Sequence, residues 1–197
     1  MEHWLRTDEE QQAVLALRMA SEQLLQVTMN PHHWQWVIIG LHIALQGFMV
    51  LALQGSNSLN VLTDECAKEW MAAYERGNGK YPERRLASFL DLYERIKSDR
   101  MKMYLHSQSF RPSSTQDRSV KELNSLRNEF IHFVPKGWSL EVSGLPQIVA
   151  DCLDVISFLA FECSNIVWHD AELESQTKEL IENARCSVSL IKTRYGA

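Results

Sequence analysis

Apolar residues recur at helical spacing along most of the chain, and the breaks between the periodic stretches are filled by turn-forming residues. Glu9 to Val27 reads as a first amphipathic helix, with Val14, Leu17, Leu24 and Val27 facing inward. Thr7 and Asp8, followed by Glu9 and Glu10, suit its start, and Met29-Asn30-Pro31 suits its end, because the residue before proline is pushed out of helical geometry. Trp34 to Leu53 is the most apolar stretch. His42 and Gln46 interrupt it and it is short for a membrane span, so it reads as a central helix covered on most sides. Gly40 and Gly47 lie near one face of that helix, where a neighbour can approach closely.

Beyond the Gln54 to Ser58 loop, Thr63 or Asp64 caps a short helix running to about Glu75, and Gly77-Asn78-Gly79 breaks the chain. Pro82-Glu83 opens a further helix to about Leu105, with Leu86, Phe89, Leu90, Tyr93 and Ile96 as its apolar stripe. His106 to Asp117 is the longest polar connection, read as a flap or a surface loop. The next helix carries Leu123, Leu126, Phe130 and Phe133 on one stripe and stops before Pro135-Lys136-Gly137. Trp138, Leu140 and Val142 then alternate with polar residues, as in a short extended segment. Pro146 starts an apolar helix through about Trp168, with Val149, Leu153, Ile156, Leu159, Cys163 and Val167 inward, and a more polar helix spans residues 170–193. The expectation is an all-α bundle of long antiparallel helices.

Length and charge narrow the picture. The 197 residues suit a single domain, 1–197, with helices 9–27 and 170–193 added to a central core. The formal net charge of −5 argues against a globally basic nucleic-acid binder. Residues 80–121 nevertheless hold ten basic against five acidic side chains, a local +5 that either attracts RNA or forms an ordinary solvated face. Cys66, Cys152, Cys163 and Cys186 show no paired spacing and read as small buried hydrophobes in a reducing compartment. With no secretory segment in the polar N-terminus, a cytoplasmic protein without a membrane span is expected. Internal repeats, a phosphate-cradling glycine loop, a nucleophile elbow and an HExxH motif are all missing from the sequence. His32 and His33 are adjacent, a poor spacing for a metal pair, so neither metal nor cofactor is expected.

The chemistry concentrates in Leu126-Arg127-Asn128-Glu129-Phe130-Ile131-His132-Phe133. Lys121, Ser125, Asn128 and His132 gather on the face opposite the apolar stripe. Arg127 lies on the flank, about 140° from His132 at 100° per residue, so the two do not converge on a straight helix. Arginine offers a planar fork for phosphate oxygens, and histidine can give or take a proton near neutral pH. The same residues also fit a solvated arginine and a helix-end histidine with no site. His42 and Gln46, one turn apart, read either as a hydrogen-bonded core pair or as contributors to a cleft.

An arginine, a polar residue, three further residues and a histidine at a helix end resemble the signature of the HEPN superfamily. The resemblance covers the motif closely and the helical layout from about Pro31 to Asp170. It implies a dimeric all-helical domain in which two copies pool two arginines and two histidines in one cleft. Many such domains are metal-independent ribonucleases of prokaryotic defence and toxin–antitoxin systems. By the resemblance, Arg127 and His132 are catalytic and Asn128 supports them, with Lys121, Ser125, Arg118 and Arg111 as substrate contacts. In one toxin group a tyrosine modified by a partner nucleotidyltransferase stands two residues after the histidine. Val134 occupies that place here, which argues against that form of control. The expected function is an endoribonuclease acting as a homodimer, with RNA as substrate and an antitoxin or other protein as a further partner. The alternative is a non-catalytic HEPN-like module that binds a nucleotide, RNA or a partner protein, and a helical bundle without a site is third.

Overall fold

The computed structural model describes residues 2–132, 135 and 137–196, and among these the chain is all-α, with seven α-helices. They are α1 (Glu9–Leu24), α2 (His33–Leu53), α3 (Asp64–Arg76), α4 (Phe89–Ile96), α5 (Ser114–Ile131), α6 (Leu145–Ser157) and α7 (Ala171–Tyr195). Phe133 and Val134 lie outside the described residues.

Helix α2 is the axis of the bundle. Val37, Ile38, Leu41, Ala44, Leu45, Phe48 and Met49 are all buried, and α1, α4, α5 and α6 cover the helix from several sides. By length and composition α2 is apolar enough to cross a membrane, but 67% of that stretch is buried against the rest of the chain. The tightest neighbour is α1. A Cβ on Gly47 would stand 2.8 Å from the Cβ of Ala13, and one on Gly40 would stand 3.1 Å from the Ala16 carbonyl oxygen. The two glycines therefore let the helix backbones meet where any side chain would hold them apart. The Asp8 side chain caps α1 by accepting from the Gln11 N–H at 2.8 Å. The helix ends at Leu24, and Val27 is buried from the turn that follows.

Two sequence expectations need correction. The helix expected from Pro82 to Leu105 exists only as the eight residues of α4. Before it, residues 85–87 run extended beside 61–63: Thr63 N–H donates to the Arg85 carbonyl (2.8 Å), and Ala87 N–H donates to that of Val61 (2.9 Å). Trp70 of α3 stacks on Tyr81 with centroids 4.6 Å apart, and Arg84 lies over the Trp70 ring. Backbone groups satisfied in this way do not need a helix, and Ser88 caps the real start. Leu86 and Leu90 consequently point outward, while Phe89, Leu92, Tyr93 and Ile96 are buried. After α4, Ser98 accepts from the Arg100 N–H and donates to the Arg95 carbonyl, turning the chain.

The helix expected to reach Trp168 instead ends as a π-turn, Phe158–Glu162, and Ser164 adopts φ +62°. Asn165 explains the exit. It is buried, and its amide donates to the carbonyls of Ala52 (3.0 Å) and Met101 (2.8 Å), while Ser107 donates to its Oδ1. Satisfying those groups draws the chain across the end of α2 instead of along a helix axis. Val167, expected inward, is 68% exposed as a result. Cys66, Cys152 and Cys163 are buried free thiols, whereas Cys186 is exposed.

Candidate functional site

Helix α5 carries the motif. A capping box between Ser113 and Gln116 starts it, Val120, Leu123 and Leu126 seat it on the core, and His132 is its C-cap, donating its N–H to the Asn128 carbonyl at 3.0 Å. The residues before the helix are pinned. Phe110 is buried against Tyr93 and Phe158, and its N–H donates to the Ile96 carbonyl, so 106–113 is a fastened surface connection.

Arg127 is half-buried and turns toward α1 and α2, where a hollow of about 320 Å³ is lined by Glu9, Gln12, His42, Gln46 and Arg127. Its Nη1 donates to Asn128 Oδ1 at 3.0 Å, and its buried Nε has no partner among the described residues. His42 is almost fully buried, with Phe89 stacked 4.0 Å from its ring and Nε2 3.1 Å from Asn124 Oδ1. Because the partner atom is a carbonyl-type acceptor, Nε2 carries the proton and Nδ1 keeps a lone pair. A second proton would place a buried N–H at Nδ1 with no acceptor. Burial, opposed by the Asn124 bond and aided by the charge of Arg127, lowers the His42 pKa to about 4.

His132 is exposed and faces elsewhere. It lines a second hollow of about 390 Å³ with His32, Trp34, Gln35, Glu129, Phe130 and Trp138. Within one chain, then, Asn128 touches Arg127, and the two catalytic candidates open onto different hollows. Of the substrate-contact candidates, Lys121 pairs with Asp117, and Ser125 is exposed. Arg118 lies fourteen positions before His132 along α5, roughly 21 Å at 1.5 Å per residue. Arg111 lines a separate hollow with Phe110 and Phe158.

Among the described residues, six of the ten basic side chains of the segment are ion-paired. Arg85 pairs with Glu69 (2.8 Å), Arg100 with Asp64 (2.9 Å) and Lys102 with Asp99 (2.7 Å), while Lys97 sits between Glu94 and Asp117. Hydrogen bonds from Lys121 and Lys97 hold the Asp117 carboxyl below its ordinary pKa. Arg95 is buried and bonds the carbonyls of Asn60 and Leu62 and the Asp64 carboxylate, which makes it a structural clamp on the turn before α3. Arg118 and Arg111 have no ion pair among the described residues. Within the same residues, no group of three or more His, Cys, Asp or Glu side chains gathers as a metal site.

Sequence reasoning missed Asn124, the partner of His42. The signal was a histidine inside the most apolar helix, which requires a polar group from a neighbouring element. Comparison with known proteins adds no relative: no family model, curated protein or solved structure matches the chain.

Proposed function

We propose that this chain is a HEPN-like, metal-independent endoribonuclease of the toxin or defence type, acting on RNA in the cytoplasm as a homodimer. Arg127 and His132 are the catalytic residues and Asn128 supports them. The observation that carries this reading is the arrangement at the end of α5: His132 stands exposed at the helix terminus, and Asn128 holds the guanidinium of Arg127 at 3.0 Å.

RNA supplies its own nucleophile, the 2′-hydroxyl. Cleavage then needs a group to take its proton, a group to protonate the leaving 5′-oxygen, and positive charge at the crowded phosphorus. An exposed imidazole meets the proton-transfer requirement, and a guanidinium held on one side by an amide leaves its other donors for phosphate oxygens. Since Arg127 and His132 of one chain face different hollows, a composite groove needs a second copy related by a two-fold axis.

Incubating the purified protein with single-stranded RNA in excess chelator tests this. Wild type is expected to cleave and His132→Ala to be inactive. Absence of cleavage by wild type, or equal cleavage by His132→Ala, removes the enzymatic reading.

The ion pairs of the basic segment favour a second reading, a non-catalytic HEPN-like module that binds a nucleotide, RNA or a partner protein, because six of its ten basic side chains are already paired and draw less on a long polyanion. Salt-sensitive RNA binding without turnover would support it.

A further inference from the structure

We infer that the hollow beside His132 is a stacking subsite for one nucleobase of single-stranded RNA, with the indole of Trp138 as its platform. The identity of the ligand as RNA rests on the proposed function; stacking itself does not require cleavage.

Two tryptophans line this hollow, and they differ. Trp34 is 1% exposed with its Nε1 donating to the Tyr195 hydroxyl, as an indole used only for packing should be. Trp138 is 43% exposed. Its ring meets Phe130 at 5.2 Å and a 56° tilt, and Phe130 in turn packs on the core. The indole is thus held from one side by an anchored ring and left open on another. Gln35 lines the same hollow, and its amide offers both donors and an acceptor to a base edge.

The composition of the wall suits a base. Among its described lining, Pro31, Trp34, Phe130, Trp138, Leu140 and Val142 make a largely apolar and aromatic wall. A flat uncharged ring gains from burial and stacking against such a wall. His132 at the rim then lies where the sugar–phosphate attached to that base passes. A base on Trp138 would fix which phosphodiester is presented to the imidazole.

The test uses full-length His132→Ala protein, which prevents turnover, and a short fluorescent single-stranded RNA. Adding Trp138→Leu should weaken binding about 10-fold or more, while Trp138→Phe should stay within about 3-fold, since a phenyl ring still stacks. A fully paired RNA should show no dependence on residue 138. In parallel, adenosine monophosphate should quench tryptophan emission of the parent protein, and Trp138→Phe should lose that quenching. This second measurement stands even where the leucine variant fails to fold. Equal RNA binding by Trp138→Leu and its parent, equal losses in the Leu and Phe variants, absence of any RNA binding, or quenching unchanged in Trp138→Phe would each overturn the subsite. Trp138-dependent binding by a wild type that does not cleave would sink the ribonuclease and leave the subsite standing. Cleavage by wild type with unchanged binding in Trp138→Leu would do the reverse.

Discussion

Nε2 of His42 lies 3.1 Å from Oδ1 of Asn124, and this one bond ties the central helix α2 to the motif helix α5 a single turn before Arg127 and Asn128. It is made by the neutral imidazole, whose other nitrogen is buried without a partner among the described residues.

Protonating His42 should therefore loosen the fold in acid. With its pKa at about 4 in the folded chain against 6.5 when unfolded, the unfolded state binds the extra proton first as pH falls. The stabilisation from the neutral ring is complete above about pH 6.5 and is lost as pH drops toward 4, on the order of 3 kcal/mol. Urea unfolding at pH 7 and pH 4.5 checks this. Wild type should lose more stability between the two than His42→Gln, which has no proton to take up in that range, and equal losses would count against the assignment.

The contact of α1 with α2 should reject one added methyl group. Gly47→Ala gains about 1 kcal/mol of helix propensity, but its Cβ would stand 2.8 Å from that of Ala13, and overpacking of this kind costs about 1–3 kcal/mol. The expected outcome is a net loss of stability that Ala13→Gly partly restores in the double variant. A urea midpoint for Gly47→Ala at or above that of wild type would show that the helices can separate freely.

Arg95 belongs to the basic segment by sequence and to the core by structure. Arg95→Met should cost about 3 kcal/mol, because it leaves the carbonyls of Asn60 and Leu62 without a donor. Lysine should not restore the loss, since a point charge cannot serve two carbonyls and the Asp64 carboxylate with the same fork. A thermal melt of Arg95→Lys that matches wild type would show that charge alone suffices.

If the ribonuclease reading holds, Asn128 acts by orienting Arg127. Asn128→Ala removes the 3.0 Å bond and should slow RNA cleavage by about 10- to 100-fold with little change in thermal stability, less than the loss in Arg127→Ala. Cleavage by Asn128→Ala at the wild-type rate would leave Asn128 without a part in the reaction.

Much of the helical layout was legible in the chain. The stripe Leu123, Leu126 and Phe130, the caps at Asp8 and Thr63, and the burial of α2 all follow from spacing that one helix can read from its own residues. The misreadings share a cause: residues 82–88 and 163–168 have helix-compatible patterns, but their backbone and side-chain groups bond to partners far away in sequence. Leu86 pairs with Leu62, and Asn165 reaches Ala52 and Met101. No local window contains those partners. The same holds for the basic segment, whose surplus of charge is reduced once Glu69 and Asp64, from outside the segment, are brought alongside.

By itself the sequence determined where most of the helices lie, the apolar stripes of α1, α2 and α5, and that Arg127, Asn128 and His132 share one helix end, because these properties depend on intervals of a few residues. Tertiary structure decided that Arg127 looks toward His42 while His132 looks toward Trp138, that Arg95 is a buried clamp, and that Asn124 completes the one histidine of α2 left inside the core. Those outcomes depend on which helices pack together and at what depth, a choice made by the burial of distant apolar surfaces and invisible to any short stretch of the chain.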